Sequence, residues 1–242
     1  MTDTAVYPIP DHFSEAHVTP ERYDTLYRQS LDEPDTFWSE QAQLLDWHSP
    51  WSAVSETDVA KGAARWFVDA KLNVSVNCID RHLPERAHDT AIIWEGDDPD
   101  DSQSFTYQEL KIQVCRFANA LRAQGIGKGD RVCIYMPMIP EAAFAMLACA
   151  RIGAIHSVVF GGFSPEALKD RINDATCSMV ITADEGVRGG KTVPLKRNVD
   201  AALAQVDCVD SVIVVRRTGC ETDWVDGRDV WYHDATAAIS DD

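Results

Sequence analysis

Apolar and polar positions alternate along the chain in two textures. Through the first 85 residues, apolar side chains recur at helical intervals in short runs. Pro20–Ser30 and Pro34–Leu45 each read as an amphipathic helix. From about residue 90 the pattern changes to short apolar runs separated by longer periodic ones. Thr90–Gly96 predicts a strand, and the acidic run Asp97–Ser102 predicts a solvated turn. Thr106, Tyr107, Gln108 and Glu109 form a capping-box sequence. Leu110, Val114, Phe117, Ala118 and Leu121 then share one helical face, with Gly125 as the stop.

The alternation continues with a strand at Arg131–Met136, a helix at Pro140–Ile152 closed by Gly153, and a strand at Ala154–Phe160. Ser164 caps a further helix with Pro165 at its first position, running to about Asp174. A strand at Cys177–Ala183, a helix at about Pro194–Gln205 and a strand at Ser211–Arg216 complete the series. Near-continuous apolar strands alternating with crossover helices need a mostly parallel sheet with helices on both faces. The expected fold is therefore α/β, preceded by a small helical N-terminal layer. Residues 1–85 form that layer and residues 86–242 the α/β part. Trp38, Trp47, Trp51 and Trp66 fall in the layer and are expected to pack it onto the α/β part.

The most apolar stretch, Ala142–Phe163, is broken by Arg151, Gly153 and His156 and changes period midway, so it reads as buried helix then strand and implies no membrane role. Met1–Pro10 carries neither a basic start nor an apolar run, which points to the cytoplasm. The seven cysteines are scattered without metal or redox spacing and are expected to be reduced and mostly buried. A net charge of −17 repels phosphate backbones and anionic lipid, which excludes nucleic acid and membrane surfaces as partners. A site for an anionic small molecule must invert that field locally with clustered cations.

Two loops offer such a site, because ligands of open α/β sheets lie beyond the carboxyl ends of the strands. Phe160-Gly161-Gly162-Phe163-Ser164 sets two glycines before a helix N-terminus; it is either a close backbone approach to an anion or a tight strand-to-helix turn. In the loop from Asp184 to Thr192, Arg188 and Lys191 flank Gly189 and Gly190, and Lys196 and Arg197 come soon after. This cluster is either a phosphate grip or a solvated basic loop. Gly186–Thr192 also approaches a Walker phosphate loop but is one residue short, and Gly125–Gly129 comes after a helix, the wrong order for a dinucleotide fingerprint. His156 is expected to be a hydrogen-bonded core histidine. No nucleophile-and-base pair stands out, so no catalytic or metal-binding residue is assigned.

In order along the chain, Pro34–Trp38, Asn77–Leu83, Ile92–Asp97, Cys115–Asn119, Tyr135–Met138, Pro140–Ala142, Met146–Gly153, Val158–Ala167 and Asp184–Arg188 together resemble the acetate–CoA ligase (acetyl-CoA synthetase) family of the adenylate-forming superfamily. The resemblance covers almost the whole chain and implies a two-step ligase. Acetate and Mg-ATP give acetyl-adenylate and pyrophosphate, and the thiol of coenzyme A then gives acetyl-CoA and AMP. It further implies that Arg188, Gly189, Gly190 and Lys191 meet the phosphorylated nucleotide end of coenzyme A, with Phe160, Gly161 and Gly162 along the same ligand. Lys191 stands where members more often carry arginine, which would turn a bidentate contact into a single one. The family's phosphate loop, adenine and acetate pockets and catalytic C-terminal lysine have no counterpart in this sequence. The chain is accordingly expected to be inactive alone and to work with the remainder of a parent chain. A stand-alone, non-catalytic module binding coenzyme A or another partner is the alternative, with a divergent NTPase after it. A parallel sheet cut midway is also expected to leave an open apolar strand edge.

Overall fold

The computed structural model describes Tyr7, Pro10, Phe13, residues 16–237 and residues 239–241. Most of the Met1–Pro10 segment read for a leader therefore lies outside the described residues. The chain divides into two compact units, Met1–Leu72 and Asn73–Asp242.

In the first unit, α1 (Pro20–Asp32) begins at Thr19, whose hydroxyl accepts from the Arg22 amide, and α2 (Pro34–Ala42) again opens on proline. Both expected helices are present, the second ending three residues early. After them comes an antiparallel hairpin, β1 (Ala53–Asp58) with β2 (Ala63–Val68), that the sequence did not announce. Most of its residues are exposed or half-buried, so neither strand carries the apolar alternation that would reveal it. Trp47, Trp51 and Phe67 cluster with ring centroids 5.3–5.4 Å apart, and Trp38 meets Trp66 at 6.5 Å.

The second unit opens with α3 (Val74–Cys78) and α4 (Leu83–Arg86). Asn73 caps α3 through its side-chain oxygen, and its amide donates to the carbonyls of Ala150 and Arg151. Next come β3 (Thr90–Glu95) and β4 (Ser102–Thr106), which pair antiparallel about the acidic turn; β3 thus lies outside the parallel sheet. The reason is local, since the turn closes on a hydrogen bond from the Gly96 amide to the Asp101 carbonyl. Helix α5 (Tyr107–Ala123) carries both bonds of the capping box between Thr106 and Glu109.

The remaining elements are β5 (Arg131–Met136), α6 (Pro140–Ile152), β6 (Ile155–Phe160), α7 (Pro165–Ala175), β7 (Met179–Ala183), β8 (Gly186–Arg188), β9 (Lys191–Val193), α8 (Leu195–Leu203), β10 (Ser211–Val215), β11 (Asp229–Trp231) and α9 (Tyr232–Ala237). Five strands form one parallel sheet in the order β11-β10-β7-β5-β6. The path steps one way from β5 to β6 and the other way from β6 to β7 and on to β10. Right-handed crossovers then put α6 on one face and α7 and α8 on the other. Phe117 of α5, Ile134, Ile181 and Ile213 of the strands, and Leu168 and Leu195 of the opposite helices are almost wholly buried between these layers. At full burial each such side chain contributes about 1.5–3 kcal/mol.

Strand β6 has β5 as its strand neighbour and lies at the sheet edge, leaving Ile155, Val158 and Phe160 exposed. His156 is on this edge and exposed, so it is not the core histidine expected. Cys115, Cys133, Cys149 and Cys177 are buried free thiols, whereas Cys78 is exposed. No helix among the described residues is long and apolar enough to cross a membrane.

Candidate functional site

The strand order locates the site. The loop after β5 leads to one face of the sheet, while the loops after its neighbours β6 and β7 lead to the other. Such a reversal opens a crevice at the carboxyl ends of the strands. The two glycine-bearing loops singled out in the sequence are the ones beyond β6 and β7.

Tyr135, the fifth residue of β5, has a fully buried side chain in the otherwise apolar run of residues 132–136, and a phenol there must find partners. Its hydroxyl donates to the carbonyl of Gly161 or Phe163, 3.1 and 2.8 Å away, and accepts from the Asn198 amide of α8 at 3.2 Å. Burial pushes its pKa up, so the phenol stays protonated and the loop after β6 is held against β5. A β-carbon at Gly161 would lie 3.1 Å from the Met136 carbonyl oxygen, so a larger residue there would push the loop away from β5. A polar residue inside an apolar strand was the available signal for Tyr135, and the sequence reading missed it.

Beyond β7 the chain folds into the hairpin β8–β9, in which Arg188 pairs with Lys191 across Gly189 and Gly190. Both glycines have positive φ, 56° and 72°, as a two-residue turn of this kind requires. Arg188 and Lys191 are exposed, and the Arg188 guanidinium lies 5.0 Å from the Phe160 ring centroid. The structure thus brings together Arg188, Gly189, Gly190 and Lys191 with Phe160, and sets Gly161 and Gly162 next to that ring. Asp97 of the acidic turn reaches the Gly190 amide at 3.5 Å. The hairpin also disposes of the Walker-loop reading. That cradle needs a strand, a loop and a helix in succession, whereas here β9 intervenes and α8 begins only at Leu195.

Two cations counted in the cluster lie elsewhere. Lys196 is wholly buried, its ammonium 2.8 Å from Asp200, 2.9 Å from Asp229 and 3.0 Å from the Asp223 carbonyl. It neutralises two carboxylates that Arg228 also grips, and has no access to a ligand. Arg197 lines a cleft of about 720 Å³ shared with Asp184, Glu185, Glu221 and Asp223. Asp184, itself buried, accepts from the backbone amides of Glu185, Arg217, Thr218 and Gly219 and so fastens the end of β7 to the loop after β10. Among the described residues no group of His, Cys, Asp and Glu is placed to hold a metal ion.

Known proteins share much of this sequence. Residues 79–241 match the profile of the AMP-binding enzyme family, and residues 23–78 match that of the acetyl-coenzyme A synthetase N-terminus. Over 243 residues the chain is 65% identical to acetyl-coenzyme A synthetase 2 of Pseudomonas putida, covering all of this chain and 38% of that protein. It is 60% identical to acetyl-coenzyme A synthetase of Alkalilimnicola ehrlichii, with the same coverage, and 58% identical to that of Saccharophagus degradans, covering 99% of this chain and 37% of the relative. The chain therefore spans well under half the length of these curated relatives. A profile match across most of the sequence, on a parallel α/β sheet with its loops gathered at the switch point, means that the chain belongs to the AMP-binding enzyme family.

Proposed function

We propose that this chain supplies the N-terminal part of an AMP-forming acetate–CoA ligase and contributes part of its coenzyme A site. The whole reaction joins acetate to ATP with release of pyrophosphate, then passes the acetyl group from AMP to the thiol of coenzyme A. Acetate, ATP and magnesium act on the remainder of the parent chain. No described residue here has a donor set suited to magnesium, and no step is assigned to this chain through it. The parent enzyme is expected in the cytoplasm.

One observation carries the coenzyme reading: in a chain of net charge −17, Arg188 and Lys191 stand opposed on an exposed glycine turn beside the exposed Phe160 ring. A guanidinium binds a phosphate through two parallel hydrogen bonds and an ammonium through one, and an aromatic face accepts a purine. Gly161 and Gly162 extend the candidate surface along the backbone beside that ring. These residues bind and orient the coenzyme; they do not move protons.

The test is made in the full-length enzyme. Arg188→Ala removes a charge-assisted phosphate contact of about 1.5–3 kcal/mol, which raises KM for coenzyme A about 10- to 100-fold. Acetate-dependent ATP–pyrophosphate exchange, which does not use the coenzyme, stays unchanged. An unaltered KM in Arg188→Ala and Lys191→Ala refutes the assignment.

A further inference from the structure

Beyond Phe160 the aromatic surface continues. The Phe163 ring lies 5.8 Å from that of Phe160, nearly perpendicular to it at 79°, and the guanidinium of Arg171, on α7, lies 5.1 Å from the Phe163 centroid. Arg188, Phe160, Phe163 and Arg171 therefore form a series of cation, ring, ring and cation, each within 5.8 Å of the next. Phe160 is 52% exposed and Phe163 36%, and both arginines are exposed.

The two guanidinium groups are also uncommitted. Arg116, Arg151, Arg217 and Arg228 are each tied to a carboxylate. Among the described residues, the guanidinium groups of Arg171 and Arg188 make neither an ion pair nor a hydrogen bond, only their contacts with the two rings. Asp174, one turn after Arg171 on the same helix, makes no ion pair with it, and Asp170 is taken by Lys169. With 39 acidic residues against 22 basic ones, exposed arginines left free on either side of an aromatic pair are available for a ligand anion.

We propose that Arg171 is a second phosphate anchor of this site, holding a different phosphate of the same nucleotide from the one gripped by Arg188. The ligand this series fits is a purine nucleotide phosphorylated at two separate positions on one ribose. Its base lies on the Phe160–Phe163 pair and its anionic groups diverge toward the two guanidinium groups. The 3′-phosphoadenosine diphosphate end of coenzyme A has that chemistry, so the assignment rests on the coenzyme reading above. The contact with the Phe163 ring restrains the Arg171 guanidinium before the ligand arrives, which lowers the ordering cost of the contact.

The experiment uses full-length enzyme carrying Arg171→Ala, Arg171→Lys and Arg188→Ala, assayed with coenzyme A and with 3′-dephospho-coenzyme A. Arg171→Ala is expected to raise KM for coenzyme A about 10-fold at unchanged kcat, ATP–pyrophosphate exchange rate and melting temperature, with Arg171→Lys intermediate. A rise seen with both coenzymes puts Arg171 on the diphosphate, and a rise confined to coenzyme A puts it on the 3′-phosphate; either supports the anchor. An unchanged KM in Arg171→Ala, with the expected rise in Arg188→Ala, overturns the anchor and leaves the coenzyme site standing. Unchanged values in both variants overturn the anchor together with the phosphate contact assigned to Arg188.

Discussion

Lys196→Met separates burial from binding at a lysine whose sequence neighbourhood suggested a ligand contact but whose side chain is buried. Methionine matches the length of the stem and removes the charge. The ammonium lies 2.8 Å from Asp200 and 2.9 Å from Asp229, whose side chain is itself wholly buried. In the wild type two cations, Lys196 and Arg228, serve these two carboxylates, so the group is neutral. The variant leaves it one charge negative in a medium that solvates charge poorly. Breaking a buried pair by removing one partner costs about 3–5 kcal/mol, and because Arg228 remains in place the lower end, about 3 kcal/mol, is expected. With an m-value of about 2 kcal/mol/M in urea, the midpoint falls by about 1.5 M. Urea titration monitored by tryptophan fluorescence reads the shift, and adding Asp229→Asn to the variant should recover part of it. A midpoint lowered by less than about 0.3 M refutes the argument. If KM for coenzyme A rose instead, Lys196 would return to the anion site.

The same network sets part of the acid limb of stability. Burial alone would raise the Asp229 pKa, but hydrogen bonds from Arg228 and Lys196 outweigh it and hold the carboxyl below its ordinary value. A depressed folded-state pKa stabilises the fold above the unfolded carboxylate value of about 4, and that contribution is lost as pH falls below it. Asp229→Asn should therefore flatten the fall in melting temperature between about pH 4 and 2, and an unchanged acid limb would contradict this. Burial pushes the Cys133 and Cys149 thiols up to about 12 and Cys177 to about 11. A disulfide reagent at pH 8 should accordingly modify exposed Cys78 in the native protein and reach these three only after unfolding; native labelling of Cys133 would show that the sheet opens.

The parallel sheet was legible because its central strands are buried on both faces and bracketed by helix-stop and helix-start residues. Arg131–Met136 and Pro140–Ile152 have the same limits in sequence and structure, and Thr106 with Glu109 marks the start of α5. The three-residue strands β8 and β9 are too short for any periodicity to show, so the hairpin that carries Arg188 and Lys191 read only as a glycine loop. His156 was misplaced because an apolar strand does not announce whether it lies inside a sheet or at its edge. Lys196 was misassigned for a different reason: the partner that buries it, Asp229, lies far downstream, and composition near a lysine is silent about such a partner. The proximity of Arg188 to Phe160 and of Arg171 to Phe163 depends on how α7 and β8 leave their strands, which spacing alone does not encode.

The turn at Gly189 and Gly190 sets two like charges face to face, since opposed residues of a two-residue hairpin project from the same side. Like charges set directly opposite disfavour a strand pair, and the backbone bonds of the hairpin hold them together against that cost. On the coenzyme reading proposed above, a dianion between them would relieve that repulsion as well as make its own contacts. Counterions do the same less selectively, so amide exchange at Lys191, where the ladder closes on Arg188, should slow as salt is added, the reverse of the loosening that salt brings to an ordinary surface ion pair.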